Sequence, residues 1–211
     1  MIYGYIFEDS YVDLDKDAER EHPSPFSCSH LLQFKIFTAD AAVREELAEA
    51  WYRASVFWST DPWNMASSLY QIGWSAGLKP ADSLRNGLWP FHEIRNVVVT
   101  IPVQFGSDVA KETLVLGKLH CLSLLKKSTT FWFILEGPGN FACLEKDHSD
   151  AENYAKSIWY LSSEVRRLRR DGFKVFVTPD WSRTVLFGME ETTVEELTEK
   201  VQQAIEESST Y

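Results

Sequence analysis

The fold class rests on residues 97–101, which read Val97-Val98-Val99-Thr100-Ile101. A continuous β-branched run is typical of a strand buried on both faces, as in a parallel sheet with helices packed on it. A second continuous apolar run follows at 131–135, Phe131-Trp132-Phe133-Ile134-Leu135. Because a helical pattern separates the two runs, the chain predicts a βαβ unit with a right-handed crossover and a sheet that is at least partly parallel.

Helical periodicity fills the segments that follow these runs. One helix is expected from Ser107 or Asp108 to about Lys127, and another from an Asp150 cap to Gly172. The apolar stripe of the second helix consists of Ala151, Tyr154, Ile158, Leu161, Val165 and Leu168.

The C-terminal part of the chain continues the alternation of strands and helices. Residues 173–177 predict a third strand, which Lys174 places at a margin of the sheet, and residues 185–187 predict a fourth. The sequence Thr193-Val194-Glu195-Glu196 matches a capping box and predicts a final amphipathic helix.

The N-terminal part has a weaker pattern. Residues 30–37 are consistent with a strand or a short buried segment. A helix is expected from about Asp40 to Ala54, with Trp51 on its apolar stripe, and Phe57-Trp58 predicts the next strand.

Length and composition favour one domain, because 211 residues with 45% apolar content can build one substantial core. Residues 1–29 combine charge with two prolines and predict an acidic arm. The expected organisation is this arm, a single α/β domain at 30–207 and a tail at 208–211. The predicted fold class is α/β, with a mixed or mostly parallel sheet built from βαβ units and an α-rich N-terminal half.

The net charge of −10 is concentrated near the two ends of the chain. Residues 1–22 hold seven acids and two bases, and residues 190–207 hold seven acids and one base. The remainder lacks the basic surface of a general nucleic-acid binder, so nucleic acid is not an expected partner. No window approaches the roughly 20 apolar residues of a membrane helix, and the start lacks the basic region of a signal peptide. We therefore expect no membrane association and an intracellular location, in the cytoplasm or nucleus.

Catalytic and metal-binding motifs are missing from the pattern. Cys28, Cys121 and Cys143 are far apart and odd in number, which favours reduced thiols over disulfides or a zinc ribbon. The five histidines form no helical metal pair and no evident triad with a cysteine. We therefore expect no cofactor, no metal and, on balance, no catalytic activity.

The loops that follow the strands are where a small ligand would bind, because ligands of open parallel sheets lie outside the carboxyl ends of the strands. Residues 137–142, Gly137-Pro138-Gly139-Asn140-Phe141-Ala142, formally fit the dinucleotide pattern G-x-G-x-x-A. Residues 143–149 separate this pattern from the next helix, which favours a plain turn. The polar groups that these loops offer to a ligand are Asp108, Glu136, Asn140 and Asp180.

Positive charge is concentrated only in Arg166-Arg167-Leu168-Arg169-Arg170. The helix dipole favours cations in the last turn, so the segment is first explained as a self-stabilising helix end. The alternative is an anion site, formed by Arg166, Arg167, Arg169 and Arg170, for carboxylates, phosphates or one of the chain's own acidic ends.

Five of the eight tryptophans lie between Trp51 and Trp89. Trp51 and Phe57 continue predicted core elements, and we expect them to be buried. Trp63, Trp74 and Trp89 lie among proline, glycine and polar residues, where large rings often anchor a partner. These three tryptophans are therefore the expected partner-binding residues.

The segment at 45–58 reads Glu45-Glu46-Leu47-Ala48-Glu49-Ala50-Trp51-Tyr52-Arg53-Ala54-Ser55-Val56-Phe57-Trp58. It is followed at 94–99 by Ile94-Arg95-Asn96-Val97-Val98-Val99. This arrangement resembles a pattern in a large set of filamentous-fungal F-box-like proteins, over roughly residues 30–180. The family's usual N-terminal Leu-Pro-x-Glu-(Leu/Ile)-Arg opening is not present here. The resemblance implies alternating helices and strands and a role in recruiting substrates to ubiquitin ligases.

Together these observations favour a non-enzymatic intracellular protein that binds another protein, as an interaction module or adaptor. One alternative is a small-ligand-binding protein or enzyme that uses the loops at the carboxyl ends of the strands. The other is an anion-binding or nucleic-acid-binding protein that uses the arginine cluster.

Overall fold

Five parallel strands form one sheet in the computed structural model, which describes residues 11–14, 41–60, 90–103, 119–137, 148–178 and 193–208. The predicted α/β class with a parallel sheet is confirmed. The strands are β1 (Tyr11–Asp13), β2 (Val56–Ser59), β3 (Asn96–Pro102), β4 (Thr130–Glu136) and β5 (Lys174–Thr178). The described helices are α1 (Ala41–Ala54), α2 (Pro90–Glu93), α3 (His148–Arg170) and α4 (Val194–Ser208), with a 3₁₀ helix at His120–Leu124.

The strands lie in the sheet in the same order as in the chain, β1-β2-β3-β4-β5, and every neighbouring pair is parallel. Crossovers between parallel strands are almost always right-handed, so an order without reversal places successive helices on the same face. The core agrees with this rule. Phe57, Val97, Phe131 and Val175 are aligned across four strands and share one hydrophobic cluster with side chains of α1, α3 and α4.

Residues Tyr11–Asp13 lie in the stretch 1–29 that the sequence assigns to an acidic arm, yet they pair in parallel with β2. The next residue, Leu14, is fully buried. This part of the expected arm is therefore an edge strand of the domain. Only three residues form it, too few for the alternation of apolar and polar residues that identifies a strand.

The first helix and strand of the predicted tryptophan-rich core occur as expected. In α1, Trp51 and Tyr52 are completely buried, and the ring of Trp51 lies edge-on to Phe57 of β2, with 5.5 Å between centroids. Three of the five strands come from residues 11–102. The helix predicted from about Asp40 to Ala54 is α1, whereas the segment at 30–37 lies outside the described ranges, so the α-rich character of the whole N-terminal half stays a prediction.

Helix α3 begins at His148, so Asp150 lies in its first turn rather than at its N-cap. A carboxylate in this turn still interacts favourably with the helix dipole. The predicted end at Gly172 is confirmed, since this glycine has a φ of 95°. Its N–H donates to the Arg169 carbonyl at 3.0 Å, and the Phe173 N–H donates to the Leu168 carbonyl at 3.0 Å. These two bonds form a Schellman motif, which directs the chain from α3 into β5.

Helix α4 begins with the predicted capping box. The Glu196 N–H donates to Thr193 Oγ1 at 3.2 Å, and the Thr193 N–H donates to Glu196 Oε2 at 3.4 Å. Its apolar stripe is buried on α3, with Leu197, Val201 and Ile205 at 2% exposure or less.

The helix expected up to about Lys127 is described only in its last part. There the chain forms the 3₁₀ helix, which ends at Leu124, and Leu122 is buried. Residues 107–118, and the predicted strand at 185–187, lie outside the described residues.

Candidate functional site

The predicted site residues are only partly within the described chain. Trp63, Trp74 and Trp89 lie outside the described residues, and so do three of the four loop residues, Asp108, Asn140 and Asp180. The structure describes Glu136 and the four arginines. The described residues therefore form three candidate binding surfaces, which are the carboxyl edge of the sheet, its second face and the outward side of α3.

Glu136 lies at the carboxyl end of β4, beside Pro102 of β3, and both residues are exposed. The backbone continues this pairing for one more residue, because the Val103 N–H donates to the Glu136 carbonyl at 2.8 Å. Glu136 thus lies at the carboxyl edge of the sheet, and its role toward a ligand stays a prediction.

Gly137, the first glycine of the G-x-G-x-x-A pattern, is packed against Tyr154 of α3. A Cβ atom at this position would lie 2.9 Å from Cζ of that ring, and closer still to its hydroxyl. Tyr154 is fully buried, so its ring has no space to withdraw. This close packing accounts for the glycine at 137 without a nucleotide, whereas residues 138–142 of the pattern lie outside the described residues.

The strand order bears on how a ligand would bind. In doubly wound sheets the ligand crevice forms where the strand order reverses and helices change faces. Across the five described strands the order does not reverse. The described part of the sheet therefore lacks the switch-point crevice of nucleotide-binding folds.

The second face of the sheet, opposite the core cluster, carries a row of large side chains. Trp58, Val98, Trp132 and Phe176 are aligned across β2 to β5. The rings of Trp132 and Phe176 stack with 4.4 Å between centroids, and Trp58 Nε1 donates to Thr100 Oγ1 at 3.2 Å. The three rings are half-buried and Val98 is buried. The central row of this face is therefore apolar and aromatic.

The arginine cluster does not act as one unit. Arg167 donates two hydrogen bonds to Glu164, from Nε at 2.8 Å and from Nη2 at 2.5 Å, and one to Asp171 at 3.1 Å. The bonds to Glu164 raise the pKa of the Arg167 guanidinium, and the negative charges of Glu164 and Asp171 act in the same direction. The charge of Arg167 is thus neutralised within the helix end.

Arg169 is also engaged locally, since its Nη2 donates to the Val175 carbonyl of β5 at 2.8 Å. Arg166 donates to the Ser162 carbonyl at 3.3 Å and to Ser162 Oγ at 2.9 Å, both of which are neutral acceptors. Arg170 is exposed. Among the described residues, Arg166 and Arg170 form no salt bridge, so they keep their positive charge toward solvent.

These two arginines belong to a longer feature that the sequence did not single out. The outward side of α3 carries residues spaced by three and four, which we call the outer stripe. Trp159 lies in its middle and is 40% exposed, although a large ring is expected on the buried side. Its ring contacts Tyr160 edge-on at 5.3 Å. The outer stripe consists of Glu152, Lys156, Trp159, Ser163, Arg166 and Arg170.

A tryptophan on the polar side of an otherwise regular amphipathic helix is the signal that could have identified this surface from the sequence. Lys156 and Glu152 form an i,i+4 ion pair at 2.7 Å, with both side chains almost half exposed. The outer stripe therefore combines an acid near the start of the helix, an exposed ring in the middle and two cations near its end.

Within the described ranges, no group of three or more histidine, cysteine, aspartate or glutamate side chains could hold a metal ion. None of the described helices is both long and apolar enough to cross a membrane.

Comparisons of the chain with protein-family profiles, with curated proteins and with solved structures give no match. The resemblance to fungal F-box-like proteins therefore stays a prediction.

Proposed function

We propose that this protein is a non-enzymatic interaction module or adaptor and that the outer stripe of α3 is one of its contact surfaces. The observation that carries the proposal is the exposed Trp159, flanked on the same side of the helix by Arg166. Tryptophan and arginine are the residues most enriched among those that dominate protein–protein binding energy.

The helix provides a rigid support for such a surface. Its opposite side is buried in the core, where Tyr154, Ile158 and Val165 are fully covered. The Schellman motif at Gly172 and the bonds from Arg167 to Glu164 fix its C-terminal end. A partner that binds the outer stripe therefore meets a preorganised surface and loses little entropy in ordering it.

A photocrosslinking experiment tests the proposal. A photoreactive phenylalanine analogue is placed at Trp159, and a matched control carries it at Leu124, which is 64% exposed on the 3₁₀ helix. We expect a crosslinked protein at position 159 and none at position 124. The protein identified in this way is purified and titrated with wild-type chain and with Trp159→Ala, which should bind at least about tenfold more weakly.

Equal crosslinking at both positions would contradict a defined surface on α3. An unchanged affinity of Trp159→Ala would do the same, because a ring that anchors an interface contributes at least about 1.4 kcal/mol to binding. The role implied by the F-box-like resemblance would be supported only if the identified partner belonged to a ubiquitin-ligase complex.

A second candidate function is the binding of a small ligand at the carboxyl edge of the sheet, favoured by the exposed Glu136 at the end of β4. A thermal-shift screen with cationic and polar metabolites tests it, with Glu136→Gln as the matched control. A ligand present at 100 times its dissociation constant should stabilise the wild type by about 2.7 kcal/mol. A shift that Glu136→Gln retains in full would exclude this carboxylate from the site.

A further inference from the structure

We propose that the occupant of the outer stripe is a second copy of this chain, with the two α3 helices packed antiparallel about a two-fold axis at Trp159. This inference rests on the interaction role proposed above and names the partner. A two-fold interface brings the same patch of each copy together, so the patch must be complementary to itself. The outer stripe meets this condition through the spacing of its charges.

Glu152 lies seven residues before Trp159, and Arg166 lies seven residues after it. Seven residues make almost two full helical turns, so all three side chains lie on the same side of α3, about 10 Å apart along its axis. In an antiparallel pair centred on residue 159, each Glu152 faces Arg166 of the other copy. Two ion pairs therefore flank the two Trp159 rings, which meet at the axis.

Lys156 is compatible with this register. It lies three residues before the centre, so the position opposite it is the buried, neutral Ser162, beside the exposed Ser163 of the other copy. A register centred two residues further on would place Glu152 against Arg170 but Lys156 against Arg166, and one centred at residue 163 would place Lys156 against Arg170. Like charges across an interface are unfavourable, so the pattern selects the register centred on Trp159.

The hydrogen bonds of Arg166 leave it suitable for this role. Its acceptors within the helix are the neutral oxygens of Ser162, so neither of these bonds neutralises the charge of the guanidinium. Glu152 already pairs with Lys156, but both side chains are almost half exposed, and such i,i+4 pairs are weak. Glu152 can therefore exchange this exposed pair for one with Arg166 of a second copy.

The area of the helix–helix interface determines the affinity that we expect for the dimer. One helix against one helix buries less than the roughly 1,200 Å² that stable interfaces reach. We therefore expect a reversible dimer with a dissociation constant in the micromolar range, weakened by salt because its ion pairs are exposed at the rim.

Sedimentation velocity of the full chain, from low to high micromolar concentration, measures the dimer constant directly. Arg166→Glu and Glu152→Arg each replace two attractive pairs by two repulsive ones and should weaken the dimer at least about tenfold. The double variant Glu152→Arg/Arg166→Glu restores opposite charges in the proposed register and should return the constant to nearly the wild-type value. Lys174→Glu, an equal change of charge on the exposed end of β5, should leave it unchanged.

Thermal unfolding of each variant confirms that it is folded before its dimer constant is compared. A wild-type chain that remains monomeric at high concentration, or a double variant that is as weak as the single ones, would refute the second-copy proposal. If the photoreactive analogue at position 159 nevertheless captures a different protein specifically, the interaction role of the outer stripe stands and only the identity of the partner falls. If neither occurs, both proposals fall.

Discussion

The two sides of α3 belong to one helix but have different physical tasks. The inner side is a regular apolar stripe, and its residues at 151, 154, 155, 158, 165 and 168 are completely buried. The outer stripe carries one acid, three cations and one large ring. The ring is Trp159, which is next in sequence to the buried Ile158. The apolar stripe thus specifies where the helix packs, whereas the large ring that interrupts the polar side lies exposed and is the basis of the proposed contact surface.

The largest expected effect lies on the inner side. Ile158→Ala removes a fully buried side chain and leaves a cavity beneath α3, so we expect a loss of about 2–5 kcal/mol in the free energy of unfolding. Urea unfolding measures it, with Ile158→Val as a milder control at about 0.5–1.5 kcal/mol. A loss below about 1 kcal/mol for the alanine variant would mean that the inner side is not the packed side.

The contact between α3 and the end of β4 should be the next most sensitive. Gly137→Ala introduces a Cβ that collides with the buried ring of Tyr154, and overpacking of this kind costs about 1–3 kcal/mol. Tyr154→Leu removes the colliding ring atoms, so the alanine should cost clearly less in that background. Additive losses in the double variant would contradict a direct clash, since residues in contact are expected to couple.

A smaller effect is expected at the boundary between the two sides. Glu164→Gln keeps the shape of a mostly buried side chain but removes the charge that accepts two bonds from Arg167, and should cost about 1 kcal/mol. The matched control is Glu152→Gln in the exposed pair with Lys156, expected within about 0.5 kcal/mol. Both are measured by urea unfolding, and equal losses would show that burial does not strengthen the inner pair.

The smallest effect on stability is expected on the outer stripe. Trp159→Ala should change the free energy of unfolding by no more than about 0.5 kcal/mol at low protein concentration, because the exposed ring adds little to the core. The measurement is urea unfolding beside Ile158→Ala, its neighbour in sequence. A loss above about 1.5 kcal/mol would assign Trp159 to packing and remove the main argument for a contact surface.

Local sequence patterns were sufficient to predict much of the fold. The run at 97–101 and the run at 131–135 both form parallel strands, and α3 has the predicted apolar stripe. The capping box at Thr193 and the helix end at Gly172 also occur where the sequence places them. These features depend on residues within one or two turns of each other, where periodicity and capping chemistry act directly.

Local sequence patterns predicted less of the candidate site. Four arginines in five residues suggest one anion site, but Glu164 and Asp171 bind Arg167, and the Val175 carbonyl of β5 binds Arg169. Trp159 was not distinguished from the rest of its helix. Which cation remains available depends on rotamers and neighbours in space, and these do not follow from the order of residue types.

The α/β class, the main strands, and the inner stripe and end of α3 follow from the amino-acid sequence, because short-range periodicity encodes each element. Tertiary packing adds that Tyr11–Asp13 joins the sheet, that the order of the five described strands does not reverse, and that Tyr154 closes on Gly137. It also decided which side of α3 is exposed around Trp159 and Arg166. Strand neighbours, helix faces and side-chain partners are long-range choices, fixed by how the elements bury one another rather than by any single segment.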